Sequence, residues 1–204
     1  MTIQTPSPVS PSLAGAARAV LAAADPFEKR RLTQEAAAAW QSGMLATIGD
    51  AGAPDRPARP ARPELRRPGD MPKRRAAGSP ANRIALLHAL AHIELNAIDL
   101  AWDMIARFAD PSLPREFAAD WLSVAAEEAK HFGLLAARLA ELDAQYGDLP
   151  AHDGLWEAAE TTRDDLLARL AVVPLVLEAR GLDVTPAMIE RLRSVGDLQT
   201  VAVL

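Results

Sequence analysis

From Pro80 to the Asp110-Pro111 pair the chain runs without glycine or internal proline, and apolar residues fall on one line at alternating spacings of four and three. That line is Leu87, Ala91, Ile98, Ala101 and Ile105, with Glu94 in the same register. Such a pattern predicts a long helix with one face turned to a core. Ser79-Pro80 supplies an N-cap and a first-turn proline to open it. A second long helix is predicted from Pro114, through Phe117, Trp121, Val124, Glu128, His131, Leu135 and Leu142, to a stop around Tyr146-Gly147.

The rest of the chain reads the same way. One helical segment spans Ser12 to Ala24, and another begins at Asp25-Pro26-Phe27-Glu28, which offers an N-cap carboxylate and a first-turn proline, and ends near Gly43. A third long helix is expected over Leu155–Arg180, with Leu167, Leu170, Val173 and Leu177 on its seam, Pro174 inside it and Gly181 as its stop. Thr185-Pro186 starts a fourth, which runs to Leu204. Only 11 glycines and no alternating runs of Val, Ile or Thr argue against strands, so the expected class is all-α.

Between Ile48 and Ser79 the helical pattern vanishes. Pro54, Pro57, Pro60 and Pro63 recur at every third position, which favours an extended polyproline backbone. The expected organisation is an N-terminal helical arm over 1–47, a Pro/Arg-rich connector over 48–79 and a helical bundle over 80–204. The net charge of −5 is unevenly spread: basic residues from Arg56 to Arg75 outnumber Asp55, Glu64 and Asp70, leaving the acidic excess to the helical parts. An extended strap whose arginines pair with an acidic bundle follows, and nucleic-acid contact is disfavoured because no aromatics interleave with the arginines.

The absence of cysteine removes disulfides, thiolate metal sites and cysteine nucleophiles, leaving imidazole and carboxylate as metal ligands. The N-terminus has no Lys or Arg before Arg18, unlike a secretory signal. The longest apolar run, Leu170 to Leu177, contains Pro174 and falls well short of the ~20 residues a span requires. A cytoplasmic protein with no membrane segment is expected.

Glu94, Glu128 and His131 stand out because charged groups on a bundle seam are costly unless paired. Glu128-x-x-His131 places a carboxylate and an imidazole on one side of a helix about one turn apart, where both can hold one ion. Dinuclear carboxylate centres in four-helix bundles combine two such motifs with one glutamate from each of two further helices. Glu94 precedes the motif and Glu178 follows it. The alternatives are a solvated face for Glu128, a core histidine at His131, and ion pairing of Glu178 with Arg180 or Lys130. His88 and His92, one turn apart with Asp99 further along, are read as surface or outer-sphere groups, and His152 as a turn residue. Phosphate-loop, dinucleotide, serine-hydrolase and His-Glu-x-x-His signatures are absent.

The strings HALAHIELNAIDLAWD (88–103), AAEEAKHFGLLAARL (125–139) and YGDLPAHDGLW (146–156), preceded by RPARPELRRPGDMPKRR, resemble a bacterial family of ferritin-like proteins of unassigned function. The resemblance implies a ferritin-like four-helix bundle, with Glu94, Glu128, His131 and Glu178 as ligands of iron or manganese. It also implies a second Glu-x-x-His on the fourth long helix, whereas this segment has Glu190 and no histidine after His152. The fourth helix is therefore expected to be incomplete.

The functional expectation is a metal-binding helical protein whose full-length form is a dinuclear iron or manganese redox protein, a di-iron-type oxidoreductase only if the site is completed. The alternative is a non-enzymatic scaffold or interaction protein with an incomplete, empty site. With that alternative goes an expected homo-oligomer, formed through the open bundle face.

Overall fold

A computed structural model describes residues 12–50, 52–71, 79–110, 112–172 and 179–204, with backbone alone over 179–184. The described part is mostly helical, as the patterning predicts. In α1 (Leu13–Ala22) the Ser12 hydroxyl accepts the Gly15 N–H, and the next amides, of Leu13 and Ala14, donate to the carbonyls of Thr47 and Ile48. Gly49 closes this crossing: its φ is +71°, and a Cβ there would lie 2.6 Å from the Ser12 side chain. Asp25 caps α2 (Pro26–Gln41) by accepting the Glu28 amide at 2.8 Å, with Pro26 in the first turn.

Two long helices follow, α3 (Pro80–Phe108) and α4 (Arg115–Glu141). They pack along each other, α1 lies on α3, α2 lies on α4, and α1 packs on α2. The N-terminal helices, expected as an arm beside the bundle, supply Leu13, Ala17, Val20, Leu21 and Ala36 to the same apolar core as Leu87, Leu95, Ile98, Trp102, Phe132 and Leu139. The central helix is α3, and it is buried on every side from Leu95 to Ile105. It is also long and apolar enough to cross a membrane by length and composition, although 61% of its most apolar stretch is buried within the protein.

The seam of α4 is displaced by one position from its expected course. The buried line is Ala118, Leu122, Ala125, Ala129, Phe132, Leu135 and Leu139. α2 covers this helix on the Phe132 and Gly133 side: Phe27 meets the Phe132 ring edge-on, and the Arg30 guanidinium lies so close to Gly133 that a Cβ there would sit 2.5 Å from Nε. Glu128 and His131 thereby move to the flank, where burial asks less of them. The helix also stops early, at Glu141 rather than near Tyr146. Asp143 takes a left-handed φ of 55°, and the amides of Asp143 and Ala144 close back on the carbonyls of Ala140 and Leu139, a Schellman stop made without glycine.

The described part of the connector is tied down, and it contains one short helical turn, Pro68–Asp70. Leu65–Arg66 (β1) pairs in parallel with Ala151–His152 (β2), a two-residue ladder in a chain whose pattern argues against strands. Two arginines of the strap reach acidic groups of the helical part, Arg56 pairing with Asp153 and Arg59 with Asp99, whereas Arg66 stays on Glu64 within the strap; Arg107 of α3 donates to the Pro54 carbonyl.

Two expected helices are corrected. In place of one helix over Leu155–Arg180 there are α5 (Gly154–Glu160) and α6 (Leu166–Val172), interrupted at residues 161–165; Val173 to Glu178 lie outside the described residues. The inward residue of α6 is Arg169, whose guanidinium meets the buried Asp103 carboxylate at 2.6 Å, while Leu167 is turned to solvent. Pro186 lies inside α7 (Ala179–Ser194) instead of opening a helix, and Gly196 at φ +76° separates α7 from α8 (Leu198–Val203), which Asp197 caps.

Candidate metal centre

Two lines of polar residues run along α3, and their surroundings differ. The first is His88, His92, Asn96, Asp99 and Asp103, at spacings of four, four, three and four, all buried. Each makes at least one hydrogen bond to a protein partner. The His88 Nε2 accepts the Gly147 amide at 2.9 Å, so the ring proton sits on Nδ1. The His92 Nε2 lies 3.1 Å from the His152 carbonyl and must donate to it, which leaves Nδ1 to accept the Tyr146 hydroxyl at 2.8 Å. Burial, helped by the Arg59 charge, pushes the His92 imidazole down to about 3, and burial lowers His88 as well, so both rings are neutral. Burial also raises the Tyr146 phenol, which keeps its proton for His92.

Further along, Asn96 donates to the His92 carbonyl and accepts from Arg59. Asp99 faces Lys29 at 2.6 Å and Arg59 at 3.1 Å, with both members of the Lys29–Asp99 pair wholly buried. Desolvation lowers the Lys29 ammonium against the pull of Asp99. Asp103 is held by Arg107 and Arg169. Apart from His88, His92 and Asp99, these groups escaped the sequence reading. Their signal was present in the regular spacing of Asn96, Asp99 and Asp103 on an apolar helix, but the partners Lys29, Arg59, Tyr146 and Arg169 come from other elements and have no local signature.

The second line is the flank where α3 meets α4. Here Glu94 from α3 joins Glu128 and His131 from α4, with one donor atom of each lying within 4.8 Å of the others. The His131 Nδ1 is 3.4 Å from Glu128 Oε2 and 3.9 Å from Glu94 Oε2. Its Nε2 faces Glu127 Oε2 at 3.9 Å. The imidazole is 45% exposed and the two carboxylates 20% each, so the cluster opens to solvent. Lys130, the nearest cation in sequence, turns to Glu127 instead. Two ligands of one first-row ion, each about 2.1 Å from it, lie roughly 3 to 3.5 Å apart. The His131–Glu128 spacing is of that size, and Glu94 has a flexible side chain and little further to move. Carboxylate and imidazole donors without thiolate suit iron or manganese.

Three of the four expected ligands are thus brought together, on two helices. Glu178 lies outside the described residues. His88 and His92 do not join the cluster, because their ring nitrogens hold the 146–153 loop. His152, expected in a turn, instead ends β2, and its Nδ1 accepts the Gly154 amide.

The profile of a family described as a protein of unknown function, DUF455, matches residues 22–204. A protein of Haemophilus influenzae, described as uncharacterized, is 47% identical over 147 residues, covering 70% of this chain and 51% of that protein. The chain therefore spans about half the length of this curated relative. No solved structure gives a significant match.

Proposed function

Since the chain belongs to the DUF455 family, which carries no assigned activity, we propose from the side chains themselves that it is a metal-binding helical protein of the ferritin-like kind, with Glu94, Glu128 and His131 as ligands of iron or manganese. The observation that carries this reading is the convergence of two carboxylates on one imidazole nitrogen across the α3–α4 seam, partly open to solvent. Glu128 and His131 share one side of α4, so the helix backbone presets their separation, and the packing of α3 on α4 brings Glu94 to them. Glu178 is proposed as a further carboxylate ligand.

A bound iron or manganese ion would supply Lewis acidity and, with a suitable oxidant, redox chemistry. The chain's own contribution is to hold the ligands on rigid helices, leave one side of the cluster accessible, and keep the neighbouring polar line in hydrogen bonds and ion pairs that compete with the ion for its donor atoms. The site is proposed to work in redox chemistry once its donor set is complete, as a di-iron-type oxidoreductase centre.

The test is metal analysis of protein purified from cells, followed by titration of the chelator-treated protein with Mn(II) or, under anaerobic conditions, Fe(II). Retained metal and saturable binding that both disappear in His131→Ala and Glu128→Ala are the expected outcome. Metal content and affinity unchanged by both substitutions would overturn the assignment and favour a helical scaffold.

A further inference from the structure

The His131 ring stands between carboxylates on both of its sides. Nδ1 faces Glu128 and Glu94, whereas Nε2 faces Glu127 Oε2 at 3.9 Å. Glu127 is not a member of the three-residue cluster. We infer that Glu127 is a positioning residue for His131: it accepts the Nε2 proton and thereby turns the Nδ1 lone pair to an ion held by Glu94 and Glu128. This rests on the metal-binding reading and adds to it the group that sets the tautomer of the nitrogen ligand.

A neutral imidazole carries one ring proton and one ring lone pair. A metal ion takes the lone pair, and the two ring nitrogens point away from each other, so one ion cannot take both. The carboxylates able to share an ion with the ring converge on Nδ1, which leaves the proton to Nε2. A carboxylate accepting that proton fixes the tautomer and the plane of the ring and makes the ligating nitrogen more basic. Residues 127 and 131 are four apart on α4, so the helix presets their approach as it presets that of 128 and 131. The 3.9 Å gap is about 1 Å longer than an N–H···O bond, and the Glu127 side chain, 59% exposed, has room to turn and close it. Its other partner is Lys130 Nζ at 3.3 Å. That pair is exposed and of small energetic weight, so it does not hold Glu127 away from the ring. The two adjacent glutamates thus take different roles because a helix turns by about 100° per residue: Glu128 faces Glu94, and Glu127 faces the outer edge of the imidazole.

The experiment compares the full chain as wild type, Glu127→Ala and Glu127→Gln. Mn(II) titration of the chelator-treated proteins gives the affinity, and NMR of the His131 ring nitrogens is read on the same chains carrying Zn(II), a diamagnetic probe of the site. The wild type is expected to bind Mn(II), to hold Zn(II) through Nδ1 and to keep its ring proton on Nε2. Glu127→Ala should bind Mn(II) about tenfold more weakly. Glu127→Gln, whose side-chain carbonyl still accepts the Nε2 proton, should recover most of that loss although the charge is gone. Equal affinity in wild type and Glu127→Ala would overturn the positioning role and leave the metal site standing. Glu127→Gln as weak as Glu127→Ala would overturn it too, because the effect would then be one of charge alone, and so would Zn(II) bound through Nε2. No Mn(II) bound by the wild type would remove the metal site itself, and this role with it.

Discussion

The two polar lines on α3 lie within a few residues of each other, yet they solve opposite problems. His88, His92, Asn96, Asp99 and Asp103 are buried and paired: each makes a hydrogen bond or an ion pair with partners drawn from α2, the strap, the 146–153 loop and α6. Glu94, Glu128 and His131 are less buried, and they face one another with two carboxylates converging on one nitrogen. Burial of polar groups in a helical core is therefore a poor guide to function. A satisfied line holds the fold together, and a line whose donors converge on a common point is the one that can take a ligand.

That contrast is most sharply tested at Asp99. Replacing it by alanine leaves Lys29 wholly buried with only the Val20 carbonyl for a partner. The expected loss is about 3–5 kcal/mol of stability, roughly 10 °C in Tm for a chain of this size. The double substitution Lys29→Met with Asp99→Leu should recover most of it, because it removes the buried charges together. Thermal unfolding of the three proteins decides the matter, and a small loss in Asp99→Ala would mean that the pair is not buried as described.

A smaller effect is expected from pH. The imidazole of His92 titrates at about 3 in the folded protein and near 6.5 when unfolded. Above pH 6.5 both states are neutral, and below it the unfolded chain takes a proton that the native state refuses. The contribution is thus fully present above 6.5 and lost progressively as pH falls toward 3, with a slope of about 1.4 kcal/mol per pH unit. His88 acts in the same sense. Urea unfolding between pH 7 and 5 should show this slope, and His92→Gln should flatten it.

The smallest effect belongs to the open flank. In metal-free protein, Glu128→Gln and His131→Ala should each change stability by less than about 1 kcal/mol, since the side chains are partly solvated and the exchange removes like charge as well as contacts. A loss as large as that at Asp99 would show that the cluster is a structural ion pair, and the difference between the two lines would collapse.

Much of this was legible in the sequence, and the misses have physical causes. The starts of α1, α2 and α3 could be read because Ser12, Asp25-Pro26 and Ser79-Pro80 act on their own first turns. The end of α4 could not, because Asp143 takes the left-handed position that a glycine would have advertised. Arg169 points inward against the apolar pattern of α6, and its reason is Asp103, distant in sequence. Glu128 and His131 were identifiable because an i, i+3 pair is preset by the helix, and Glu94 because it stands among apolar residues on the seam of α3. The one-residue displacement of α4 was not, because Ala125, Ala129, Val124 and Glu128 leave two adjacent faces almost equally plausible until α2 packs on one of them.

The central claim is that the converging line binds metal and the matched line does not. Mn(II) titration followed by electron paramagnetic resonance tests it directly, comparing wild type, His131→Ala and His92→Gln, each first shown to be folded. The account predicts that saturable binding survives in His92→Gln and is lost in His131→Ala. Equal binding in all three, or loss in His92→Gln alone, would contradict it.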